Sequence, residues 1–415
     1  MNRRTLLKTS LGAGLLAAGP TSSGFSAPGF KRPTLGQLNR AAAAPVLKTK
    51  YFKSPVKIAS IELLKADRYF LVRARSTDGA VGYAVSNESK MRDYYPIFLH
   101  CVAPRFIGRD ARDLDKIIDD TFKANYKMQG QALWVPVASA EFAVLDLLGN
   151  IAGKSVGQLL GEVGLKEVAI YRASGNRGNT AEEEVAILQK LIAETGAMAV
   201  KFKVGGRMSK NADSLPGRSE ALIPLARKVL GDKMVLYADS NGSYDAKKGI
   251  EIGRIMEEHN FGFYEEPCPF DCLEETKQVA DAVNIPIAGG EQESSMRRFR
   301  WMIYNNAVQI VQPDLFYYGG FIRSIRVARM AAKAGLTCMP HMSGSGLGFL
   351  YVCHFAACVP NAGPHHEYKG RFKIPISCDT SSLLSENGKI RVPTGPGIGV
   401  TIDPDFLRKA EIVTG

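Results

Sequence analysis

From residue 55 onward the apolar positions fall into short, regular groups. Val56 to Leu64 and Arg68 to Ser76 alternate with a period of two, as half-buried strands do, and Asp78-Gly79 supplies a turn after the second. Val81 to Val85 reads as a third strand. Tyr95 to Phe106, Asp113 to Lys123 and Val135 to Ala152 carry apolar residues at helical spacing, the last ending near Gly153. This pattern predicts a small α+β domain over residues 55–165.

Beyond 165 the pattern changes. Short β-rich runs (Val168–Ala173, Ala199–Val204, Met234–Ala238, Gly262–Tyr264, Pro286–Ala288, Val308–Val311, Leu336–Met339, His365–Tyr368) alternate with amphipathic stretches such as Thr180–Thr195, Ser219–Leu230 and Ile322–Ala334. About eight βα units over 166–390 require a parallel sheet, and closure into a barrel is the economical solution. An open doubly wound sheet is the other architecture that periodicity permits. No G-x-G-x-x-G links a strand to a helix, so a dinucleotide site is not indicated.

Composition narrows the class. Of 415 residues, 45% are hydrophobic and 23% charged, which excludes a disordered, collagenous or coiled-coil chain. No run of 18 or more apolar residues occurs, so no stable membrane span is expected. The net charge is +12, but residues 1–50 hold eight Lys or Arg and no acid, leaving +4 for the remaining 365. The basicity is largely N-terminal, and no basic face with interleaved aromatics suggests a nucleic-acid partner. Seven scattered cysteines do not make a disulfide framework, and Cys268 and Cys272 have no second pair at zinc-finger spacing.

At the N-terminus, Arg3-Arg4 and Lys8 precede a short apolar stretch, Leu11 to Ala18. A positive region before a weak hydrophobic one resembles a twin-arginine export signal, which predicts a periplasmic protein, the alternative being a cytoplasmic one. Residues 20–50, rich in Gly, Pro, Ser and Ala, read as a linker, so that 1–50 is signal plus linker.

Charge ends each predicted barrel strand. Lys201 and Lys203 lie on one face of the second, by period-two alternation. Asp239 ends the third, Glu265-Glu266-Pro267 the fourth, Glu291 the fifth, Asp314 the sixth, His341 the seventh and, from strand order, Glu367 the eighth. From 239 to 341 the steps are 26, 26, 23 and 27 residues, one βα unit each. Asp239, Glu265 and Glu291 on consecutive strand ends converge at the barrel rim and repel one another unless a cation intervenes. Mg2+, which takes a few carboxylates plus substrate oxygens and water, fits that set, one ion per subunit.

In these residues the sequence resembles the enolase superfamily, specifically its mandelate racemase-like group, over about 55–405. The resemblance rests on Lys201-x-Lys203, Asp239-x-Asn241, Glu265-Glu266-Pro267, Gly290-Glu291, Asp314 with Gly319-Gly320, and His341, together with Ala143, Asp146, Gly149 and Leu159-Leu160-Gly161. It implies a modified (β/α)7β TIM barrel beneath an N-terminal α+β capping domain, to which residues 390–415 contribute lid elements. It also implies Mg2+ held by Asp239, Glu265 and Glu291, proton abstraction beside a substrate carboxylate, and a homo-oligomer.

The residue chemistry agrees. Lys203 is the expected base on one face, with Lys201 adding a positive charge that should ease its deprotonation and neutralise the substrate carboxylate. His341, oriented by Asp314, works from the other face. Glu367, if protonated, donates to the enediolate oxygen, and Asn241 holds the carboxylate or an α-hydroxyl. Two opposed bases permit dehydration, racemisation, epimerisation or cycloisomerisation; members with Lys-x-Lys and a His-Asp pair resemble acid sugar dehydratases. Substrate choice is expected from loops 82–91 and 126–134, with Tyr83, Asn87, Lys90, Tyr126, Gln129 and Trp134, of which Tyr83 and Trp134 are the leading candidates. A catalytically inactive binding protein and a two-lobed solute-binding protein are the readings from other classes.

Overall fold

The computed structural model describes residues 29–344, 347–370 and 373–414. Three antiparallel strands, β1 (Ile58–Ala66), β2 (Tyr69–Ser76) and β3 (Val81–Val85), form the capping sheet. The 22-residue helix Gln131–Ala152 lies across it and is almost wholly buried. Its length and apolarity come from lying in the core between sheet and barrel. Gly82 allows the contact: a Cβ there would sit 2.2 Å from Leu147 N and 2.4 Å from Ala143 O. The helical region expected at Tyr95 begins earlier, at Glu88, because Asn87 caps it by accepting from Lys90 N, and it passes through a π-helical turn at Phe98–Val102.

Eight parallel strands follow: β4 (Glu167–Ala173), β5 (Ala199–Lys203), β6 (Val235–Asp239), β7 (Phe263–Glu265), β8 (Ile287–Gly289), β9 (Ile310–Val311), β10 (Thr337–Cys338) and β11 (His366–Glu367). Seven helices separate them, from Ala181–Thr195 to Gly348–Cys358. The ring closes by β11 pairing with β4 and by a parallel bridge between Cys338 and Ala362. This is the (β/α)7β barrel.

Period two explains why the strand ends are polar. Tyr171, Ala199, Tyr237, Phe263, Ala288, Ile310 and Met339 pack together as one inner layer. Two residues further along β5, β6 and β7, and just past β10, the same inward face carries Lys201, Asp239, Glu265 and His341. Strand register then aligns them: Lys203 pairs with Asp239, and Asp239 with Glu265.

The chain returns to the cap at its end. Strands β12 (Ile376–Ser377) and β14 (Thr401–Ile402) pair with each other, β13 (Lys389–Arg391) pairs with β4, and β15 (Glu411–Ile412) adds an edge to β1. Asp146 ties this tail to the cap, accepting from Ile398 N and Tyr83 N, each at 2.8 Å.

One expectation needs correcting. The segment expected to be linker contains the helix Leu35–Ala43, set by a capping box between Thr34 and Gln37. It packs on the barrel helix Phe321–Lys333 and buries Leu38 completely. Arg3, Arg4 and the stretch from Leu11 to Ala18 lie outside the described residues.

Candidate active site

The C-terminal ends of β5 to β11 bring the strand-end residues to one point. Asp239, Glu265 and Glu291, all buried, each offer an oxygen within 4.8 Å of the others. Lys201 Nζ lies 2.7 Å from Glu265 Oε2 and 3.8 Å from Glu367 Oε2, above the Tyr171 ring. Lys203 Nζ pairs with Asp239 Oδ2. Across the site, His341 Nδ1 meets Asp314 Oδ2 at 2.6 Å, and Nε2 faces Glu291 at 3.4 Å and Glu367 at 3.7 Å. Lys203 therefore stands at the Asp239 end of the carboxylates and the imidazole at the Glu291 end, with Lys201 and His341 both facing Glu367 Oε2.

Asp314 is fully buried and saturated. Its Oδ1 accepts from Phe316 N and Tyr317 N at 2.7 and 2.8 Å, and from Ser343 Oγ at 3.1 Å. Ser343 Oγ in turn accepts from Asn87 Nδ2 at 3.0 Å, so the capping domain reaches the imidazole side of the site. Within 126–134, Gln131 opens the long helix and its amide donates to Gln292 at 3.1 Å; Gln292 donates to Glu291 Oε1 at the same distance.

The electrostatics follow from burial and crowding. Burial, with Asp239 and Glu291 nearby, pushes the Glu265 acid up to about 7 despite the Lys201 ammonium. Burial opposes ionisation of Glu291 too, but His341, Lys203 and Lys201 outweigh it and hold that carboxyl well below its ordinary range. Lys201 loses solvation, yet Glu265, Tyr171 and Glu367 keep it charged, far above the usual lysine value. His341 is likewise desolvated, and Glu291 and Asp314 raise it to about 8.

Glu367 stands among cations. Burial favours its neutral form, but Lys369, Lys201 and His341 hold the carboxyl down to about 2. Neighbouring His365 and His366 take no part: both are desolvated to about 4, His365 bonded to Tyr237 and His366 to the Gly363 carbonyl.

The residues fit a divalent metal. Glu265 Oε1 is buried with no hydrogen-bond partner, and Gln312, which donates to Glu265 Oε2 at 3.1 Å, turns an equally unpartnered oxygen inward. Three converging all-oxygen donors suit a hard cation.

Asn241 holds a left-handed backbone, φ 44°, and its amide is already engaged. Nδ2 donates to Asp239 at 3.1 Å and reaches Glu266 and Glu291 at 3.4 and 3.5 Å, while Oδ1 accepts from Arg177 at 2.7 Å and Arg207 at 3.4 Å. It positions the carboxylates rather than standing free for substrate.

Tyr83 and Trp134 are not where sequence reasoning put them. Tyr83 lies within β3, paired with Arg73 of β2, and Arg73 holds Glu62. Trp134 is buried, stacked on Phe122 at 5.3 Å, with the Arg323 guanidinium 3.5 Å above its ring. Both are packing residues. Arg177, Arg207, Gln292 and Gln312 were missed, and Glu266 was read only within the strand-end motif Glu265-Glu266-Pro267. Of these, Glu266 and Gln312 carry a sequence signal, as polar residues beside barrel-strand ends.

Two family models cover nearly all of this fold. Residues 42–161 match the mandelate racemase / muconate lactonizing enzyme N-terminal domain, and residues 183–406 match the enolase C-terminal domain-like family. Arabinonate dehydratase of Saccharolobus solfataricus is 26% identical over 79% of this chain and 86% of its own length. L-talarate/galactarate dehydratase of Salmonella typhimurium is 30% identical over 66% and 67%. Among solved structures, a candidate racemase from Roseobacter denitrificans superposes with a TM-score of 0.79 at 34% identity, over 86% of this chain and 99% of that one. A mandelate racemase/muconate lactonizing protein from Paracoccus denitrificans, complexed with magnesium, gives 0.78 at 24% over the same shares. With both domains matched and the carboxylate triad in place, the chain belongs to the mandelate racemase/muconate lactonizing enzyme group of the enolase superfamily.

Proposed function

We propose that this enzyme is a Mg2+-dependent acid sugar dehydratase, converting a 2,3-dihydroxy acid to its 2-keto-3-deoxy acid with loss of water. The observation that carries the reading is the placement of Lys203 and His341 on opposite sides of the Asp239–Glu265–Glu291 triad. Dehydratases among its relatives support it.

Asp239, Glu265 and Glu291 would hold the Mg2+, and the bound ion would supply charge stabilisation for the substrate carboxylate as the α-proton leaves. Lys203 takes that proton. Lys201, kept charged by Glu265 and Glu367, sits where it neutralises the same carboxylate. His341, held by Asp314, gives its proton to the departing β-hydroxyl, which leaves as water. The resulting enol loses its O–H proton, gains a proton at C3 and becomes the ketone. Protons balance: the α-proton taken by Lys203 and the enol proton equal the two delivered, one from His341 to the leaving hydroxyl and one to C3, so the net loss is one water.

A racemase or epimerase reading has its own support in the 34%-identical candidate racemase and in the same opposed pair, with His341 returning a proton to the α-carbon. A panel of sugar mono- and diacids with Mg2+ in deuterated water, followed by NMR and a semicarbazide assay, separates the two. A 2-keto-3-deoxy product supports dehydration. Deuterium at the α-carbon without ketone shows racemisation or epimerisation. No exchange on any acid, with Mg2+ bound, overturns both and favours an inactive binding protein. Export is part of the proposal, resting on Arg3-Arg4 and the apolar stretch behind them. An Arg3→Lys, Arg4→Lys double variant should stay in the cytoplasmic fraction; equal periplasmic recovery would sink it.

A further inference from the structure

Beside the triad lies a cavity of about 270 Å3, lined in part by Arg207, Asn241, Glu266 and Gln292. Its charge pattern is lopsided. The Asn241 amide divides it: the NH2 faces the carboxylates Asp239, Glu266 and Glu291, and the carbonyl oxygen accepts from Arg177 and Arg207 together. Among the described residues neither arginine belongs to any ion pair, although most charged groups around this site do. Arg177 is half-buried, and its Nε has no partner at all. A guanidinium drawn out of water with no acid in contact is costly, and Arg177 meets that cost with one neutral oxygen that it shares with the exposed Arg207.

Both arginines are held in place. Arg218, buried and paired with Glu184, donates to the Asn179 carbonyl at 2.7 Å and its side-chain oxygen at 2.9 Å, fastening the loop that carries Arg177. Arg207 begins a loop in which Arg207, Met208, Lys210 and Asn211 all adopt positive φ, between 50 and 72°. Arg207 N donates to Ser243 Oγ at 2.9 Å, and Asn211 anchors on Asp245 at 2.7 Å. Non-glycine residues held in that region concentrate where a loop must present a side chain.

We propose that Arg177 and Arg207 form a second anion subsite, which takes the distal carboxylate of a diacid sugar while its reacting end lies between Lys203 and His341. The inference rests on the α-proton chemistry proposed above and narrows its substrate class from sugar acids to diacids. Guanidinium forks suit a carboxylate, and Asn241 shields that carboxylate from the triad.

The test pairs acids of one configuration: galactarate with galactonate, glucarate with gluconate, mannarate with mannonate. kcat/KM and α-deuterium exchange are measured on the Mg2+-loaded enzyme. Binding is measured by titration calorimetry on the Lys203→Ala protein, where turnover does not interfere. The native enzyme should prefer at least one diacid over its monoacid partner by about 100-fold, and Arg207→Gln should cut that ratio about 30-fold or more. Arg207→Lys, which keeps the charge, should recover part of it. Arg177→Gln should act in the same direction. If that half-buried change prevents folding, exposed Arg207 still decides. Equal use of mono- and diacids, or equal losses on both in Arg207→Gln, overturns the subsite. Absent exchange on every acid, with the diacid still bound more tightly in an Arg207-dependent way, overturns the proposed chemistry and leaves the subsite standing. Absent exchange with no binding preference overturns both.

Discussion

Asp314 holds His341 through Nδ1 at 2.6 Å, leaving Nε2 turned toward Glu291 and Glu367. Burial lowers the imidazole pKa; Glu291 and then Asp314 more than offset it, giving about 8. Two consequences have a definite sign. Neutralising Glu291 with Mg2+ removes a contribution that favours the imidazolium, so the His341 pKa should fall when the metal binds. Asp314→Asn removes another and should lower it further, with kcat reduced about 10²–10⁴-fold as the acid is lost and misoriented. NMR titration of the ring nitrogens with and without Mg2+ reads both. A pKa unmoved by metal would show that Glu291 does not govern it.

The same geometry predicts how metal affinity is distributed. Glu265 offers Oε1 with no protein partner, while Oε2 is held by Lys201 and Gln312. Glu265→Gln removes a ligand. Gln312→Leu removes only an orienting bond and should weaken Mg2+ about 10–100-fold. Glu265→Gln should lose more than that. Calorimetric titration with Mg2+ alone measures both, and EDTA should lower the Tm of the native protein by removing a ligand of the folded state. Unchanged Mg2+ affinity in Glu265→Gln would remove the triad from consideration.

The N-terminal arm is a stabilising element in its own right. Leu38 is fully buried against the barrel helix Phe321–Lys333, Arg300 donates to Asn39 at 2.6 Å, and Arg329 donates to the Ala44 carbonyl at 2.8 Å. Leu38→Ala should cost about 2–5 kcal/mol in denaturant unfolding, the range for a buried leucine. A loss under about 0.5 kcal/mol, typical of surface positions, would mean the arm is not docked in solution.

What could be read in advance, and what could not, divides along one physical line. Lys201, Lys203, Asp239, Glu265, Glu291, Asp314 and His341 were legible because each interrupts or ends an apolar strand at a fixed period, and the barrel turns that period into convergence. Tyr83 and Trp134 were misread because a loop aromatic and a core aromatic look alike in sequence; only the pairing of β2 with β3 and the stacking of Phe122 and Arg323 tell them apart. Arg177 and Arg207 sit on loops whose course is set by tertiary anchors, Arg218 and Ser243, far along the chain. The helix at Leu35 did carry a local signal, Thr34 three residues before Gln37, masked by the alanine- and proline-rich surroundings.

Glu141 gives the last prediction. It lies in the long capping helix and crosses to the barrel, where Oε1 accepts from Ile322 N at 2.8 Å and Oε2 has no partner. That oxygen rests directly over Gly320, where an added Cβ would come within 1.3 Å of it at φ +97°. Burial pushes the Glu141 acid up to about 8. In the unfolded chain its pKa is about 4.3. The folded state therefore holds a proton that the unfolded state releases, so stability from this group is complete below about pH 4.3 and is lost as pH rises to about 8. Glu141→Gln, which cannot ionise, should flatten that slope and gain on the native protein toward pH 8, by an amount on the order of a few kcal/mol. Gly320→Ala should destabilise at every pH, by several kcal/mol, on the order expected for a backbone clash at positive φ. Denaturant unfolding of the three proteins between pH 5 and 9 measures both effects. Parallel pH slopes for the native and Glu141→Gln proteins would mean that Glu141 is ionised where it crosses between the domains.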